Sequence, residues 1–403
     1  MRNIWQIART RRLQEPRRDR ANAHAEAQER LRRQLRKSLR GQGFKLERDR
    51  IVPLDITSKE AVRNLHQDAV LHAAERSRAG LERREPELLR WIASGDELSP
   101  HEVSPTLIEV RPETIEELLF RWVRLHWSIP VSAGYGRRLR FLVIDQSNEK
   151  LIGIIGLSDP VFALGARDRA IGWTPEERRV RLRHVMDAFV LGAVPPYNSL
   201  RFGKLVALLA ASNEVRAMFA RRYRNRRSLI AGRSDSARLA MITTTSALGR
   251  SSIYNRLKFG EQTVYQRTGY TAGSGDFQFM NGLYDELRAY AVEHLVPTAK
   301  HDDWGSGFRN RRELVRKVLG DLGLSVDWQY HGVQREVFVI PTAKNSAAFL
   351  RGDAERLQYW NRPAADLIDY FRTRWLLPRV QTSAEYRDFD PSTYALWPRE
   401  SIR

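Results

Sequence analysis

Residues 139–157 read LRFLVIDQSNEKLIGIIGL. Two apolar, β-branched runs, 139–145 and 151–157, flank the polar QSNEK, a pattern that predicts a hairpin at the centre of a sheet. Upstream, LIEV (107–110) predicts a short strand. A helix is expected from Thr114, because Leu118, Leu119, Trp122, Val123 and Trp127 keep helical spacing. Downstream, ARDRAIGW (166–173) reads as a return toward a strand. PEERRVRLRHVMDAFVLGA (175–193) reads as a basic helix leading into an apolar segment. The turn PPYNSL then precedes a long helix, LRFGKLVALLAASNEVRAMFARRYRNR, and ARLAMITTTSAL (237–248) reads as another strand. Strands and helices mix without a βαβ rhythm, so the fold class is α+β with a mixed central sheet covered by helices.

Four segments follow from the composition. Residues 1–50 form a basic helical arm, 51–104 a helical region, 105–295 the α+β core and 296–403 a C-terminal α+β extension. The arm carries sixteen Lys and Arg against six acids, half of the net charge of +20. Leu31, Leu35 and Leu39 give its helix one narrow apolar seam, and Gly41 and Gly43 end it. In the extension, RRELVRKVLGDLGL and AADLIDYFRTRWLLPRV read as helices and QREVFVIPTA as a strand.

The 403 residues contain no cysteine, which removes disulfides, thiolate nucleophiles and zinc ribbons from the available chemistries. The nine histidines show no metal-binding spacing, and no apolar run approaches a membrane span. A cytoplasmic protein without cofactor is expected. A chain this basic repels itself unless a polyanion neutralises it, which makes nucleic acid, DNA foremost, the expected partner.

Four constellations could carry chemistry. TTTSALGRSSIYNRL (243–257) offers a strand, a Gly-containing loop and a following helix, with Arg250, Ser251, Ser252, Asn255 and Arg256 placed to contact phosphates. PPYNSLRFGK (195–204) sets Tyr197 and Lys204 around a turn, Tyr197 as a stacking or nucleophilic group and Lys204 as a phosphate contact. Asp145, Asp159 and Asp168 lie at or past strand ends, where convergence would hold Mg²⁺ for strand cleavage. Tyr254 is a further candidate for strand cleavage or base modification. Polybasic runs at 178–184, 221–227 (Arg221, Arg222, Arg224, Arg226, Arg227) and 309–312 lie close to Tyr223, Trp304 and Phe308, combining charge with stacking surface. The bland alternative for each is a solvated helix face, a core aromatic or a turn residue. Trp360, Tyr370, Phe371 and Trp375 suggest a third role, a scaffold that recruits a protein partner.

The strings RLRFLVID, KLIGIIGLSDPV, RDRAIGW, VMDAFVLGAVPPYN, GKLVALLAASNEVR, TTTSALGRSSIYNRLKF and GYTAGSGDF carry a family resemblance. So do HGVQREVFVIPTAKNSAAFL and RW at 374–375. Over about residues 105–380 the chain resembles the DruA family of the Druantia antiphage defence system, formerly a domain of unknown function. The resemblance implies a defence role beside a helicase-like partner and accessory proteins, and it supplies no catalytic residue set. The hairpin, the helix after Pro196 and SSIYNRLKFG also faintly resemble the N-acetyltransferase fold. The turn YNSLRFGK lacks the phosphate-binding pattern of that fold.

Overall fold

The computed structural model describes residues 17–223, 237–297, 304 and 308–398. The chain forms two compact units. One consists of residues up to His72 together with Ala272–Val333, and the other of Ala73–Thr271 with Gln334 onward.

The first unit is mainly helical. Helix α1 (Arg17–Gly41) leads into a small hairpin, β1 (Phe44–Leu46) with β2 (Ile51–Pro53), and then into α2, which spans Lys59–Leu81. The expected leucine seam is real: Leu31, Leu35 and Leu39 are buried. On the same side of the helix His24 and Gln28 bond the Asp321 carboxylate, and Arg32 donates twice to the Leu322 carbonyl. A guanidinium there answers the unsatisfied carbonyls and partial negative charge at the end of a helix.

The second unit is built on the predicted hairpin. Strand β3 (Pro105–Glu109) and helix α3 (Ile115–Val123) precede it. Thr114 caps α3 through its side chain, as the expected helix start requires. Strands β4 (Arg138–Asp145) and β5 (Lys150–Ser158) form the hairpin itself, paired from Arg138↔Ser158 to Asp145↔Lys150. Helices α4 (Gly165–Ile171) and α5 (Pro175–Arg181) follow, then strand β6 (Val185–Ala193) and helices α6 (Phe202–Leu209) and α7 (Asn213–Tyr223). Strands β7 (Met241–Thr245) and β8 (Gln266–Tyr270) come next.

Helices α8 (Leu283–His294) and α9 (Phe308–Asp321) belong to the first unit. Strand β9 (Glu336–Pro341) and helices α10 (Ser346–Arg351) and α11 (Ala364–Phe371) return to the second. One seven-stranded sheet runs in the order β8-β9-β7-β6-β5-β4-β3. Every neighbouring pair is antiparallel except β6 and β7, which are parallel.

Three local readings change. ARDRAIGW is helix α4 and not a strand: Gly172, at φ +81°, closes it by bonding the Asp168 and Arg169 carbonyls. The long helix after PPYNSL is two helices, parted where Ser212 bonds the Val215 amide and starts a new turn. The expected helix directly after the loop that follows Thr245 is absent, and residues 246–256 are bends and turns.

Both faces of the sheet are covered. Phe141, Val143, Met186 and Ala188 pack with Phe202, Leu205 and Phe338 on one face. The other face carries two separate apolar groups. Leu142, Ile144 and Ile154 lie under α3, while Val185, Met241 and Val339 pack with Ile171 and Phe349.

Candidate functional site

The three aspartates do not converge. Antiparallel pairing sets the ends of successive strands at opposite edges, so Asp145, opposite Lys150, and Asp159, just past Ser158, sit at the two ends of the hairpin. Eight residues of strand separate them, roughly 23 Å. Asp145 is fully buried and accepts from the Tyr197 hydroxyl at 2.9 Å, the Ser104 amide at 2.9 Å and the Ser147 hydroxyl at 2.8 Å. Tyr197 is equally buried, and burial first, then Asp145, pushes its phenol far above the usual range. A tyrosine so placed is a poor nucleophile, and the pair pins the QSNEK turn.

Asp159 holds a different loop. It accepts from the Arg137 amide at 3.0 Å and the Arg137 guanidinium at 2.7 Å, while its own amide bonds the Tyr135 carbonyl. Asp168 is bridged by Arg167 at 2.7 Å and Arg178 at 2.9 Å. Both carboxylates are thus already neutralised by guanidinium groups. Among the described residues no group of three or more metal-ligating side chains occurs. Tyr254 is a core residue stacked on Tyr265, its phenol pushed up to about 12 by burial.

The loop 246–256 does hold an anion, and the anion is internal. The Glu336 carboxylate accepts from the Ser251 amide at 2.8 Å and the Asn255 side chain at 2.9 Å, and Ser251 Oγ accepts from the Ile253 and Tyr254 amides. The donors expected to meet phosphate are therefore committed to a side chain of β9. Ser252, Arg250 and Arg256 remain at least partly exposed, Arg256 in the left-handed region at φ +61°. Half-buried Lys204 lies 5.3 Å from the Trp375 ring, and burial holds its amine below the usual lysine range.

The polybasic runs are partly taken up by the fold. Arg221 and Arg222 share Glu109, Arg178 bonds Asp168, and Arg311 bonds Asp276. Tyr223 is buried with its hydroxyl on the Arg138 carbonyl, and Trp304 is also buried. Neither indole nor phenol is presented for stacking. Arg224, Arg226 and Arg227 lie outside the described residues.

The free positive charge gathers on α1. Arg30, Arg33, Arg36, Lys37 and Arg40 are exposed, and at 100° per residue they occupy one arc opposite the leucine seam. No acid lies between Arg30 and Arg40. Of the five, Arg33 alone has an acidic neighbour, Glu29 at 3.9 Å, among the described residues.

A second polar locus has little signature in the sequence. The parallel ladder between β6 and β7 lasts three residue pairs and ends at Asp187↔Thr243. Beyond it the Thr244 hydroxyl bonds the Ala188 carbonyl, and the ladder stops. The Thr243 hydroxyl donates to the Asp187 carboxylate at 2.7 Å. Burial holds the Asp187 carboxyl above the usual carboxylate range, against the opposing pull of Thr243, Arg167 and Arg335. Arg335, at the entry to β9, is held by Thr271, whose amide donates to the Arg335 carbonyl and whose hydroxyl accepts from the Arg335 amide. A polar residue interrupting VMDAFVLGA is the available signal for Asp187; Arg335 has none, since it is brought there by a strand 148 positions away.

Comparison with known proteins agrees with the family strings. The model of the family described as "Druantia protein DruA" matches residues 57–352. The chain belongs to the DruA family. A DruA-family protein of Escherichia coli (strain UMEA 4076-1), named Druantia protein DruA, is 38% identical over 358 residues, covering 89% of each chain. No solved structure matches this DruA-family chain, so the N-acetyltransferase-like pattern carries no argument about its chemistry. Among the described residues no helix is long and apolar enough to cross a membrane.

Proposed function

We propose that this DruA-family protein serves antiphage defence by binding duplex DNA through the free face of α1, alongside other proteins of the Druantia system. The observation that carries the reading is the acid-free arc Arg30, Arg33, Arg36, Lys37 and Arg40 on a helix whose opposite side is anchored by Leu31, Leu35 and Leu39. The arc spans about 15 Å along the helix axis. A major groove about 12 Å wide admits a helix, and cations ordered on a docked helix lose less entropy on meeting phosphates than cations on a flexible tail.

Fluorescence anisotropy on a labelled duplex over a salt series tests it. Binding should weaken linearly on a log–log plot, and replacing all five residues by Gln should reduce the slope by about 4.5, near 0.9 for each phosphate no longer neutralised. Affinity that is flat with salt, or unchanged by the five substitutions, overturns the proposal. Stronger binding to an RNA hairpin than to the duplex overturns the choice of DNA.

A further inference from the structure

Between α10 and α11 the residues 358–362, Gln-Tyr-Trp-Asn-Arg, run along the second unit and are held from two sides. On one side they pair with the chain just past β9. The Lys344 amide bonds the Gln358 carbonyl, the Trp360 amide bonds the Thr342 carbonyl, and Ala343 stands opposite Tyr359. On the other side the start of α7 grips them. The Asn213 amide donates to the Arg362 carbonyl, the Asn213 side chain accepts from the Arg362 amide, and the Arg216 guanidinium donates to the Trp360 carbonyl at 3.0 Å. Side chains carried on backbone fixed at this many points are presented in set positions.

Two aromatic rings stand on this segment, each with a cation against it. The Tyr359 ring is 38% exposed, and the Arg216 guanidinium lies 4.3 Å from its centre. Half-buried Trp360 has the exposed Lys344 amine at 5.4 Å and the buried Arg362 guanidinium at 5.6 Å. The patch continues toward α10. Arg238 donates to the Glu355 carbonyl at 2.8 Å, and Arg238 and Arg181 lie 5.8 and 5.6 Å from the same Phe349 ring.

Among the described residues none of Arg181, Arg216, Arg238, Lys344 and Arg362 has a carboxylate within ion-pair distance. Elsewhere in this unit Arg140, Arg178, Arg222 and Arg351 are each matched by an acid. Of the acids close by, Asp353 is taken by Arg351 and Glu214 by the Ala364 amide, which leaves Glu355. Arg362 adds to the imbalance: it is buried beside Trp360, and its Nε has no hydrogen-bond partner. Cations gathered without counter-charge set up a positive potential that a bound polyanion relieves.

These contacts lead us to propose that the patch binds an unpaired stretch of nucleic-acid strand. A base stacks on the face of Tyr359 away from Arg216, and flanking phosphates meet Arg181, Arg216, Arg238 and Lys344. Rings and cations together select this ligand. An acidic peptide would use the cations and offers no flat face to Tyr359, while a duplex presents its phosphates and keeps the faces of its bases covered. The proposal extends the nucleic-acid reading to a second surface and to another form of the polymer, so separate variants test the two.

Fluorescence anisotropy of the full chain with labelled oligothymidylate and oligouridylate strands of about twelve nucleotides is the test. Either strand should bind saturably. Tyr359→Ala should weaken that binding about 5-fold or more, and Tyr359→Phe, which keeps the ring, should retain it. Arg181→Gln combined with Lys344→Gln removes two side chains that make no hydrogen bond among the described residues. That pair should lower the salt slope by about 1.4, near 0.7 for each phosphate no longer neutralised on a single strand. Absence of saturable binding, affinity untouched by Tyr359→Ala, a salt slope unchanged by the pair, or polyglutamate competing as well as oligothymidylate would each overturn the proposal. Loss of strand binding in the five-Gln variant of α1 would also overturn it, since the strand would then lie on α1. Loss of duplex binding in that variant with strand binding intact supports it.

Discussion

The two ends of the β4–β5 hairpin use the same residue types in opposite ways. At one end Asp145 has each of its partners in place, buried Tyr197 and the exposed Ser104 and Ser147, and its own carboxylate is closed to solvent. At the other, on the neighbouring strand β6 opposite Ser158, Asp187 has one hydrogen bond, from Thr243, and burial holds its carboxyl above the usual range. The first arrangement is what stability favours, since a buried polar group with all its partners costs little. The second is less completely satisfied, and its charged form is supported by Thr243 and by the more distant Arg167 and Arg335. Carboxylates at strand ends are therefore informative only once their partners are known.

Substitutions at the two ends should differ in their cost to stability. The largest expected effect is from Asp145→Ala, which removes the acceptor shared by Tyr197, Ser104 and Ser147, leaves the buried phenol with Asn148 alone and should cost about 3 kcal/mol in urea unfolding. Asp187→Ala should change the same measurement by about 1 kcal/mol or less, because it removes one hydrogen bond and also relieves the burial of a charge. If the two variants lose equal stability, the contrast between the ends is broken.

A smaller effect comes from His184, one residue before β6. Its ring accepts from the Arg238 amide, and burial, aided by Arg183, holds its pKa down to about 3. The folded ring stays neutral while the unfolded one, near 6.5, takes up a proton. Its contribution to stability is complete above pH 6.5 and is lost as pH falls toward 3, roughly 3 kcal/mol by pH 4. Thermal melts at pH 7 and pH 4 should show His184→Gln losing less of its Tm on acidification than the unmodified chain. An equal loss in both would assign the acid sensitivity elsewhere.

The smallest effect sharpens the comparison furthest. Tyr197→Phe removes one hydroxyl from the Asp145 cluster and keeps the ring packed, so it should cost about 1 kcal/mol. Duplex and single-strand binding should not change. A binding defect in Tyr197→Phe with normal stability would make the Asp145 end the functional one.

What the residues could and could not disclose follows from how far apart their partners are. The hairpin at 139–157 is legible because each strand is a local run of apolar, β-branched residues whose partner lies a few positions away. The leucine seam of α1 is legible for the same reason, and with it the basic arc on the opposite side of the helix. Helix α4 reads as a strand because a short amphipathic segment closed by Gly172 has too few residues for its period to show. The loop after Thr245 reads as a phosphate cradle because its Ser and Asn donors are local, whereas the carboxylate they serve, Glu336, is 85 residues from Ser251.

The sequence by itself determined the α+β class, the central hairpin, the basic helix and the family, all properties of neighbouring residues or of ordered strings. Only the tertiary structure decided which charges are free. Electrostatic partnership depends on distance in space, and the tertiary fold brings Asp187 to Thr243 and Glu336 to Ser251 from positions that no local pattern connects.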